Sequence, residues 1–419
     1  MGIGPIDVPA METLLRDAGP EHPAPGPATA QEETTAHRKR CWTINGDFVT
    51  LNPNGVARYA REVTLALDAL IAEGHPLARG LLLDLVAPRN DESLPLRAIG
   101  TRVVPEFRTP RLPQFWVQAQ LPRHVPGGLL SFCNLAPIAL SRHIVCVHDM
   151  HTRLMPESYG RLFRWAHRLI LPVLGRRAAR ITTVSELSRL HLVKYGIARS
   201  DKITVTYNGS DHAARWDAAR STLAASPERS YVLCLGRSQK YKNVDLLLRL
   251  APLLDDMGLD LWMAGEVDPA AIAAVTQPAP PNLRLLGRIS DDDFKQALTG
   301  ALCFLFPSRI EGFGLPAVEA MVAGCPVVAS TSPCLPEVCG EAALYADPDD
   351  VEEWAEAVAL IRSDAGMRRR LIEAGKARAQ RYTWRSIAES YLKLMMQVDI
   401  AFAQRAARGR RAAASSGAN

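Results

Sequence analysis

Two glutamates stand on either side of a glycine-rich turn in the stretch SRIEGFGLPAVEAMVAGCPVVAS, residues 308–330. Glu311 precedes the letters GFG, and Glu319 follows eight positions later. The apolar run ALCFLF before the turn predicts a buried strand, and Pro316 and Gly324 predict the first position and the end of a helix. Glycines let a backbone approach a ligand, and free N–H groups at a helix start favour an anion such as a diphosphate.

Carboxylates on both sides of a phosphate site suit a ligand with hydroxyl groups at both ends and phosphate in the middle. A nucleotide sugar has that layout. The alternative is that Glu319 only complements the helix dipole and that Glu311 is a solvated loop residue. This stretch alone leaves both interpretations open.

The composition indicates an ordinary globular protein of two domains, because 419 residues are too many for one compact core. A net charge of +5 is low for a nucleic-acid-binding protein. The eight cysteines form no C-x-x-C pair and mostly lie in apolar runs, which indicates reduced thiols in a cytoplasmic protein. No apolar run reaches the 18 residues of a membrane span, so we expect a soluble protein that at most lies on a membrane.

Short apolar runs that alternate with helical patterns predict two doubly wound α/β domains facing each other across a cleft. The predicted order is a disordered segment 1–40, a first domain 41–212, a linker 213–230, a second domain 231–382, a helix 383–405 and a disordered basic tail 406–419. The strands predicted in the first domain are Cys41–Ile44, Leu81–Val86, Leu129–Phe132, Ile144–Val147, Ile181–Val184 and Ile203–Tyr207. Ligands of such sheets gather at the carboxyl ends of the strands.

The stretch EGFGLPAVE resembles the E-x7-E motif of retaining GT-B glycosyltransferases, in particular glycosyltransferase family 4. Further similar segments follow in the family's order: NGVARYAREV, FWVQAQLPRHV, SFCNLAP, IVCVHDM, TTVSELSR, LGRSQKYKN, LLGRISDDD, EVCGEAALYADPDD and YTW. The resemblance covers roughly residues 41–402. It implies the GT-B fold, with a C-terminal helix that returns to the first domain.

The resemblance also implies roles for single residues. Glu319 would hold the nucleotide ribose and Glu311 the hydroxyl groups of the donor sugar. Arg237 and Lys242 would neutralise the diphosphate, with Lys240 as the alternative lysine. The residues around the turn whose amides would meet the phosphates or sugar are Phe313, Gly314 and Leu315.

Residues of the first domain would complete the site from the other side of the cleft. Gly55 would approach the diphosphate, unless it is only a turn glycine that starts a helix. His148 would contact the donor sugar at the reaction centre, with His151 nearby as an alternative. Asp149 either orients the acceptor or caps a following turn.

The implied function is a retaining hexosyltransferase with a nucleoside diphosphate sugar as donor, GDP-mannose first and UDP-glucose or another UDP-hexose second. The acceptor would be a glycan or a lipid-linked sugar of exopolysaccharide or lipopolysaccharide assembly. No metal motif stands in the cleft segments, so we expect a metal-independent reaction with no cofactor beyond the donor. The alternatives are a catalytically silent GT-B regulator and a nucleotide-sugar epimerase.

The stretch YGRLFRWAHRLILPVLGRRAAR, residues 159–180, carries six arginines and no acid, interleaved with aromatic and leucine residues. This pattern suits a helix that lies in an anionic membrane interface, which would place the protein at the inner face of the cell membrane. The alternative is an amphipathic helix whose apolar side packs on the sheet and whose arginines are solvated.

Overall fold

The computed structural model describes residues 39–52, 54–91, 94–107, 114–223, 228–237 and 239–416. Within these ranges the strands form two sheets, and every strand pair in them is parallel. The two doubly wound domains predicted from the alternating pattern are therefore confirmed.

The first sheet lies in the predicted first domain. Its strands are β1 Arg40–Asn45, β2 Leu81–Ala87, β3 Gly100–Val103, β4 Gly128–Ser131, β5 His143–Cys146, β6 Arg180–Thr183 and β7 Ile203–Val205. Their order across the sheet is β3-β2-β1-β4-β5-β6-β7. The central strands are buried along their length because helices cover both faces of a parallel sheet.

The second sheet repeats this arrangement. Its strands are β8 Tyr231–Leu235, β9 Asp260–Ala264, β10 Leu283–Gly287, β11 Phe304–Phe306, β12 Val327–Ser330 and β13 Ala343–Ala346. Their order is β10-β9-β8-β11-β12-β13. The strand β11 comes from the run ALCFLF and carries the glutamate stretch at its carboxyl end.

Twelve α-helices connect and cover the sheets in the described ranges. They are α1 Gly55–Ala72, α2 His151–Leu154, α3 Arg161–Arg177, α4 Glu186–Lys194, α5 Val244–Asp256, α6 Pro269–Val275, α7 Asp291–Gly300, α8 Leu315–Val322, α9 Cys334–Cys339, α10 Val351–Ser363, α11 Ala365–Ala379 and α12 Trp384–Ser416.

The last helix, α12, returns to the first domain as predicted. The hydroxyl of Tyr391 lies 2.9 Å from that of Tyr59 in α1 and 2.7 Å from that of Thr182 in β6. Further along, Asp399 accepts a hydrogen bond of 2.7 Å from Arg40 in β1. The hydroxyl of Thr383 caps the start of this helix by accepting a 3.3 Å hydrogen bond from the amide of Ser386.

Both ends of the chain differ from the prediction. The helix α12 runs to Ser416, so residues 406–416 are not a disordered tail; their alanines and arginines are strong helix formers. Arg40 already belongs to β1 and is buried, so it is not part of the predicted disordered segment 1–40. Residues 1–38 and 417–419 of the two predicted end segments lie outside the described residues.

The predicted linker is ordered where the structure describes it. One short 3-10 turn, Asp211–Arg215, runs into it, and a second, Ala218–Arg220, lies within it. The chain leaves the first sheet two residues earlier than predicted, because Tyr207 has a φ of 51° and cannot continue a strand. Close by, the amide of Ser210 donates a 2.8 Å hydrogen bond to the carbonyl of Tyr382, so the two connections between the domains lie side by side.

Candidate active site between the two sheets

The glycine-rich turn after β11 lies against the carboxyl end of β5 from the other domain. A Cβ atom placed on Gly312 would lie 2.9 Å from the carbonyl oxygen of His148, so only glycine allows this approach. Gly314 has a φ of 90°, and a Cβ there would lie 2.5 Å from a methyl group of Leu335. The two glycines therefore hold the turn in the cleft between the domains.

The turn leads directly into α8, as the sequence predicted, with a shift of one position. Leu315 is the first helical residue and Pro316 the second, and both Phe313 and Leu315 are buried. Proline fits here because its missing N–H would have no partner in the first turn anyway. The remaining free N–H groups of the first turn make this helix start suitable for an anion.

The predicted sugar-binding carboxylate and the predicted phosphate-binding lysine contact each other. The Nζ atom of Lys242 lies 2.6 Å from Oε1 of Glu311, and the two side chains are 15% and 11% exposed. The ammonium group of Lys242 also lies 5.3 Å from the ring centres of Tyr241 and Phe306. This partly buried, aromatic-lined ion pair places one positive and one negative group at the mouth of the GFG turn.

The other predicted cations are placed less specifically. Arg237 is exposed at the carboxyl end of β8, where it faces Tyr241 closely enough to oppose the rise in the pKa of that phenol. Lys240 is exposed in the same 3-10 turn as Lys242. Of the two lysines, Lys242 is therefore the one that the structure joins to Glu311.

Glu319 is buried in α8, one residue beyond its first turn, and its carboxylate is held by two residues that the sequence did not indicate. His212 lies 2.9 Å away through Nε2, and Arg58 of α1 lies 3.7 Å away through Nε; both approach Oε1. Trp384 donates a 3.0 Å hydrogen bond to Nδ1 of His212. Because indole N–H only donates, the imidazole proton of His212 must sit on Nε2 and point at Glu319.

Arg58 connects the first domain to a second acid of the second domain. Its guanidinium group also forms a bidentate salt bridge with Asp291 at the start of α7, with N–O distances of 2.6 and 2.9 Å. It lies 5.5 Å from the ring centre of Trp216. Since α1 belongs to the first domain, this arginine bridges the cleft beside Glu319.

His148 is placed at the predicted strand end, but its ring points into the first domain. Its Nε2 atom lies 2.7 Å from the carbonyl of Phe132, and its ring packs edge-on against Tyr59 at 4.8 Å. Its carbonyl oxygen, rather than its ring, faces the GFG turn and accepts a 2.9 Å hydrogen bond from Ser188. Opposing effects act on its pKa: burial lowers it, while Cys146 and the Phe132 carbonyl raise it by more.

The alternative histidine, His151, lies in the cleft. Its ring centre is 5.2 Å from that of Tyr241 in the second domain. Its Nε2 atom is buried and has no hydrogen-bond partner among the described residues. A buried nitrogen without a partner is unfavourable unless a ligand supplies one. Asp149 caps the turn that carries this histidine, because its Oδ1 accepts a 2.9 Å bond from the amide of His151.

Two tyrosines complete the region around Glu311. Burial raises the pKa of Tyr159, and the negative charges of Asp149 and Glu311 raise it further. Burial raises the pKa of Tyr241 as well, again together with Glu311 and Asp149. Both phenols therefore keep their protons and remain hydrogen-bond donors near two carboxylates.

Gly55 lies at the start of the first helix of the first domain. It is the first residue of α1, and the side chain of Asn54 caps this helix by accepting a 3.0 Å bond from the amide of Ala57. A Cβ atom on Gly55 would meet nothing within 4 Å. Gly55 therefore starts a helix, and its contact with the diphosphate stays a prediction.

An acid at the carboxyl end of β1, Asp47, was not singled out from the sequence. Burial raises its pKa to about 7, and its Oδ1 atom has no hydrogen-bond partner among the described residues. The carboxyl ends of parallel strands share one edge, so Asp47 and the turn after β5 lie on the same side of the first sheet. This carboxyl group of the first domain can bind a hydroxyl group of a ligand in the cleft.

The two domains also touch beside the cleft. The carboxylate of Glu337 in α9 accepts hydrogen bonds of 2.7 and 3.2 Å from the amides of Glu186 and Leu187, which start α4. Burial raises the pKa of Glu337 to about 7 although these bonds lower it. A carboxylate of the second domain thus caps a helix of the first.

Comparisons with known proteins agree with this architecture. Residues 217–378 match the family described as glycosyl transferases group 1. The chain is 30% identical over 261 residues to the O-antigen chain mannosyltransferase B of Escherichia coli, a match that covers 59% of this chain and 68% of that protein. It is 26% identical over 225 residues to the O-antigen chain mannosyltransferase RfbU of Salmonella typhimurium, covering 53% of this chain and 61% of that protein.

A solved structure shows the same fold across both domains. The sucrose-phosphate synthase of Thermosynechococcus elongatus superposes with a TM-score of 0.67 at 18% identity. The superposition covers 86% of this chain and 100% of that one. The arrangement of two parallel sheets with a returning C-terminal helix is therefore the GT-B fold.

Proposed function

Since this chain belongs to the group 1 glycosyl transferases, we propose that it moves a hexose from a nucleoside diphosphate sugar to a hydroxyl group of a glycan or lipid-linked acceptor. Mannose is the first candidate, with GDP-mannose as donor, because both relatives described above are named mannosyltransferases of O-antigen chains. UDP-glucose or another UDP-hexose is the second. The proposed place of action is the cytoplasm, at the inner face of the cell membrane, in the assembly of a surface polysaccharide.

The observation that carries the proposal is the pair Lys242–Glu311 at the mouth of the GFG turn. The helix start of α8 offers N–H groups to a phosphate, and Lys242 offers a positive charge 2.6 Å from Glu311. A donor whose phosphate lies at the helix start places its sugar next to Glu311. The lysine then contacts both the carboxylate and the diphosphate, with Arg237 as a second cation from the end of β8.

At the nucleotide end, Glu319 is prepared for a pair of ribose hydroxyls. His212 fixes its carboxylate through a 2.9 Å hydrogen bond and is itself fixed by Trp384. A carboxylate that is held in one orientation loses little entropy when it accepts hydrogen bonds from a diol. Arg58, 3.7 Å from the same oxygen, places a positive charge beside this carboxylate.

The proposed reaction retains the configuration of the sugar. The bond from the anomeric carbon to the diphosphate oxygen breaks, and the bond to the acceptor oxygen forms on the same face. The acceptor's proton passes to the departing phosphate. Negative charge grows on the diphosphate in an oxocarbenium-like transition state, and Lys242, Arg237 and the start of α8 stabilise that charge. The proposal needs no divalent metal for this step.

Of the two histidines, we assign the contact with the donor sugar to His151 and a supporting role to His148. The Nε2 atom of His148 is occupied by the Phe132 carbonyl, whereas that of His151 is buried without a partner. A sugar hydroxyl between His151 and Glu311 would provide this partner. The His148 carbonyl instead holds the GFG turn through its contact with Gly312.

The experiment is product analysis after incubation with a panel of nucleotide sugars, first ranked by thermal shift. We expect one donor to raise the melting temperature and to be converted to nucleoside diphosphate, with transfer when an acceptor is supplied and full activity in EDTA. Loss of activity in EDTA that magnesium or manganese restores would contradict the metal-free step. Conversion of the donor to an isomeric nucleotide sugar would identify an epimerase, and binding without turnover of any donor would identify a non-catalytic regulator.

A further inference from the structure

The helix α3 exposes an apolar stripe that nothing in the described part of the chain covers. Leu162, Trp165 and Leu169 are 76%, 67% and 55% exposed. They are spaced i, i+3 and i+7, so they lie on one side of the helix. We call them the α3 outer stripe.

The opposite side of the same helix accounts for the packing on the domain. Its buried residues are His167, Leu171, Leu174 and Gly175. Gly175 is pressed so closely against Ile197 that a Cβ atom there would lie 1.7 Å from the Ile197 carbonyl oxygen. The helix is therefore anchored by its inner side, as the amphipathic alternative predicts, and the outer stripe is left exposed.

An exposed tryptophan is exceptional in this protein. The other six tryptophans are at most 8% exposed: Trp42, Trp116, Trp216, Trp262, Trp354 and Trp384. In the described ranges, four of the twelve exposed large apolar side chains lie on α3, namely the outer stripe and Phe163. Apolar side chains gathered on one helix indicate an interaction surface rather than scattered surface residues.

Positive charge borders the stripe. Arg161 and Arg168 are exposed, are seven residues apart, and lie along one side of the stripe; Arg164 is half-buried behind them. None of these three forms an ion pair within 4 Å with a described residue, and α3 contains no acid. Arg168 also helps to lower the pKa of Arg153, after burial, so positive charge is concentrated here.

We infer that the α3 outer stripe and its arginines form a docking surface for an anionic phospholipid membrane. Leucine and tryptophan side chains favour the boundary between headgroups and acyl chains, and arginines beside them pair with lipid phosphates. A protein partner would not need a row of arginines without acids, whereas an anionic lipid surface satisfies both halves of the patch.

The start of the surface lies next to the candidate active site. Tyr159 is two residues before α3, and its pKa responds to the charges of Asp149 and Glu311 in the cleft. Its ring stacks on that of Phe163 in the first turn of α3 at 5.8 Å. A membrane that covers the outer stripe would therefore bring lipid-linked molecules close to the cleft. The docking surface itself does not depend on the proposed function.

The test uses flotation with vesicles of phosphatidylethanolamine and phosphatidylglycerol at low salt, and with phosphatidylcholine vesicles as the neutral comparison. We expect the full chain to float with the anionic vesicles only. Because Trp165 is the exposed tryptophan, its fluorescence should shift to the blue on binding, and Trp165→Phe should remove the shift while leaving flotation in place. Each arginine contributes about fivefold to partitioning, so R161E/R164E/R168E should weaken it at least about 100-fold.

A matched control has the same change of charge elsewhere. R408E/R410E/R411E reverses three exposed arginines at the end of α12, where no large apolar side chains accompany them, and should float like the original protein. L162S/L169S keeps every arginine and should also lose binding, with an unchanged melting temperature because both residues are exposed. The inference is overturned if the original chain stays in solution with anionic vesicles, or if the control triple variant loses binding as strongly as the α3 triple variant. It is equally overturned if light scattering shows that the stripe holds two copies together and L162S/L169S separates them without changing flotation.

Discussion

The two carboxylates of the glutamate stretch should divide the donor between them, and Glu311→Ala tests this division. The Oε1 atom of Glu311 lies 2.6 Å from Nζ of Lys242, and both side chains are mostly shielded from solvent. Removal of the carboxylate releases the lysine, which then meets a bound diphosphate without competition. An ionic hydrogen bond of this kind is worth about 1–3 kcal/mol. Its loss should therefore leave the affinity for GDP unchanged or raise it by about fivefold, the lower end of that range.

Activity should respond in the opposite sense, because Glu311 is the proposed partner of the sugar. We expect transfer by Glu311→Ala to fall by more than two orders of magnitude, a size common when a group that stabilises the transition state is lost. Isothermal titration with GDP measures the first effect and donor turnover the second. Glu319→Ala is the matched control and should weaken GDP binding by about 1–3 kcal/mol. If Glu311→Ala weakens GDP as much as Glu319→Ala does, the division of roles is wrong.

Three further predictions follow from the same geometry. His212→Ala removes the hydrogen-bond donor that orients Glu319 and should weaken GDP binding by about 1 kcal/mol, whereas Trp384→Phe should weaken it less. If titration gives equal GDP affinity for the original protein and both variants, His212 and Trp384 do not support Glu319 in binding the nucleotide. Lys242→Ala should weaken the binding of GDP much more than that of guanosine, and Lys240→Ala should change the binding of neither. A larger effect of Lys240→Ala would assign the phosphate contact to Lys240 instead. The pKa of Glu337 is raised from 4.5 to about 7, so between these pH values the folded protein keeps a proton that the unfolded chain has lost. The contribution of Glu337 to the free energy of unfolding should therefore fall as pH rises through this window, by at most about 1.4 kcal/mol per pH unit. The melting temperature of the original protein relative to that of Glu337→Gln should decline from pH 5 to 7, and a constant difference would contradict the raised pKa.

The sequence predicted the elements that repeat a regular pattern. The apolar runs that became β5 and β6 are short and bounded by polar residues, so these strands were predicted within one residue of where they lie, whereas β11 covers only the last three residues of the run ALCFLF. The edge strand β3, Gly100–Val103, was missed because all four of its residues are exposed and its letters, GTRV, show no buried run. The last 11 residues of α12 were predicted as disordered because their composition is of low complexity, although alanine and arginine also favour helices.

The candidate site was predicted in part. Glu311, Glu319 and Lys242 belong to recognisable segments, and the structure brings them to one cleft. The support of Glu319 by His212 is a contact between residues 107 positions apart, and His212 lies at the edge of the predicted linker, so no local pattern indicates it. The choice between His148 and His151 depends on ring orientation, which sequence position does not fix.

Retaining transfer from a nucleotide sugar in this cleft is tested most directly by proton NMR. The spectra follow the anomeric proton while the protein converts the donor that it binds best, with and without an acceptor. We expect release of nucleoside diphosphate together with a sugar that keeps the donor's anomeric configuration, and no such release by Glu311→Ala. An inverted anomer would contradict the retaining mechanism. A folded protein that binds the donor but never breaks the bond between sugar and diphosphate would contradict the assignment of this cleft as a glycosyltransferase active site.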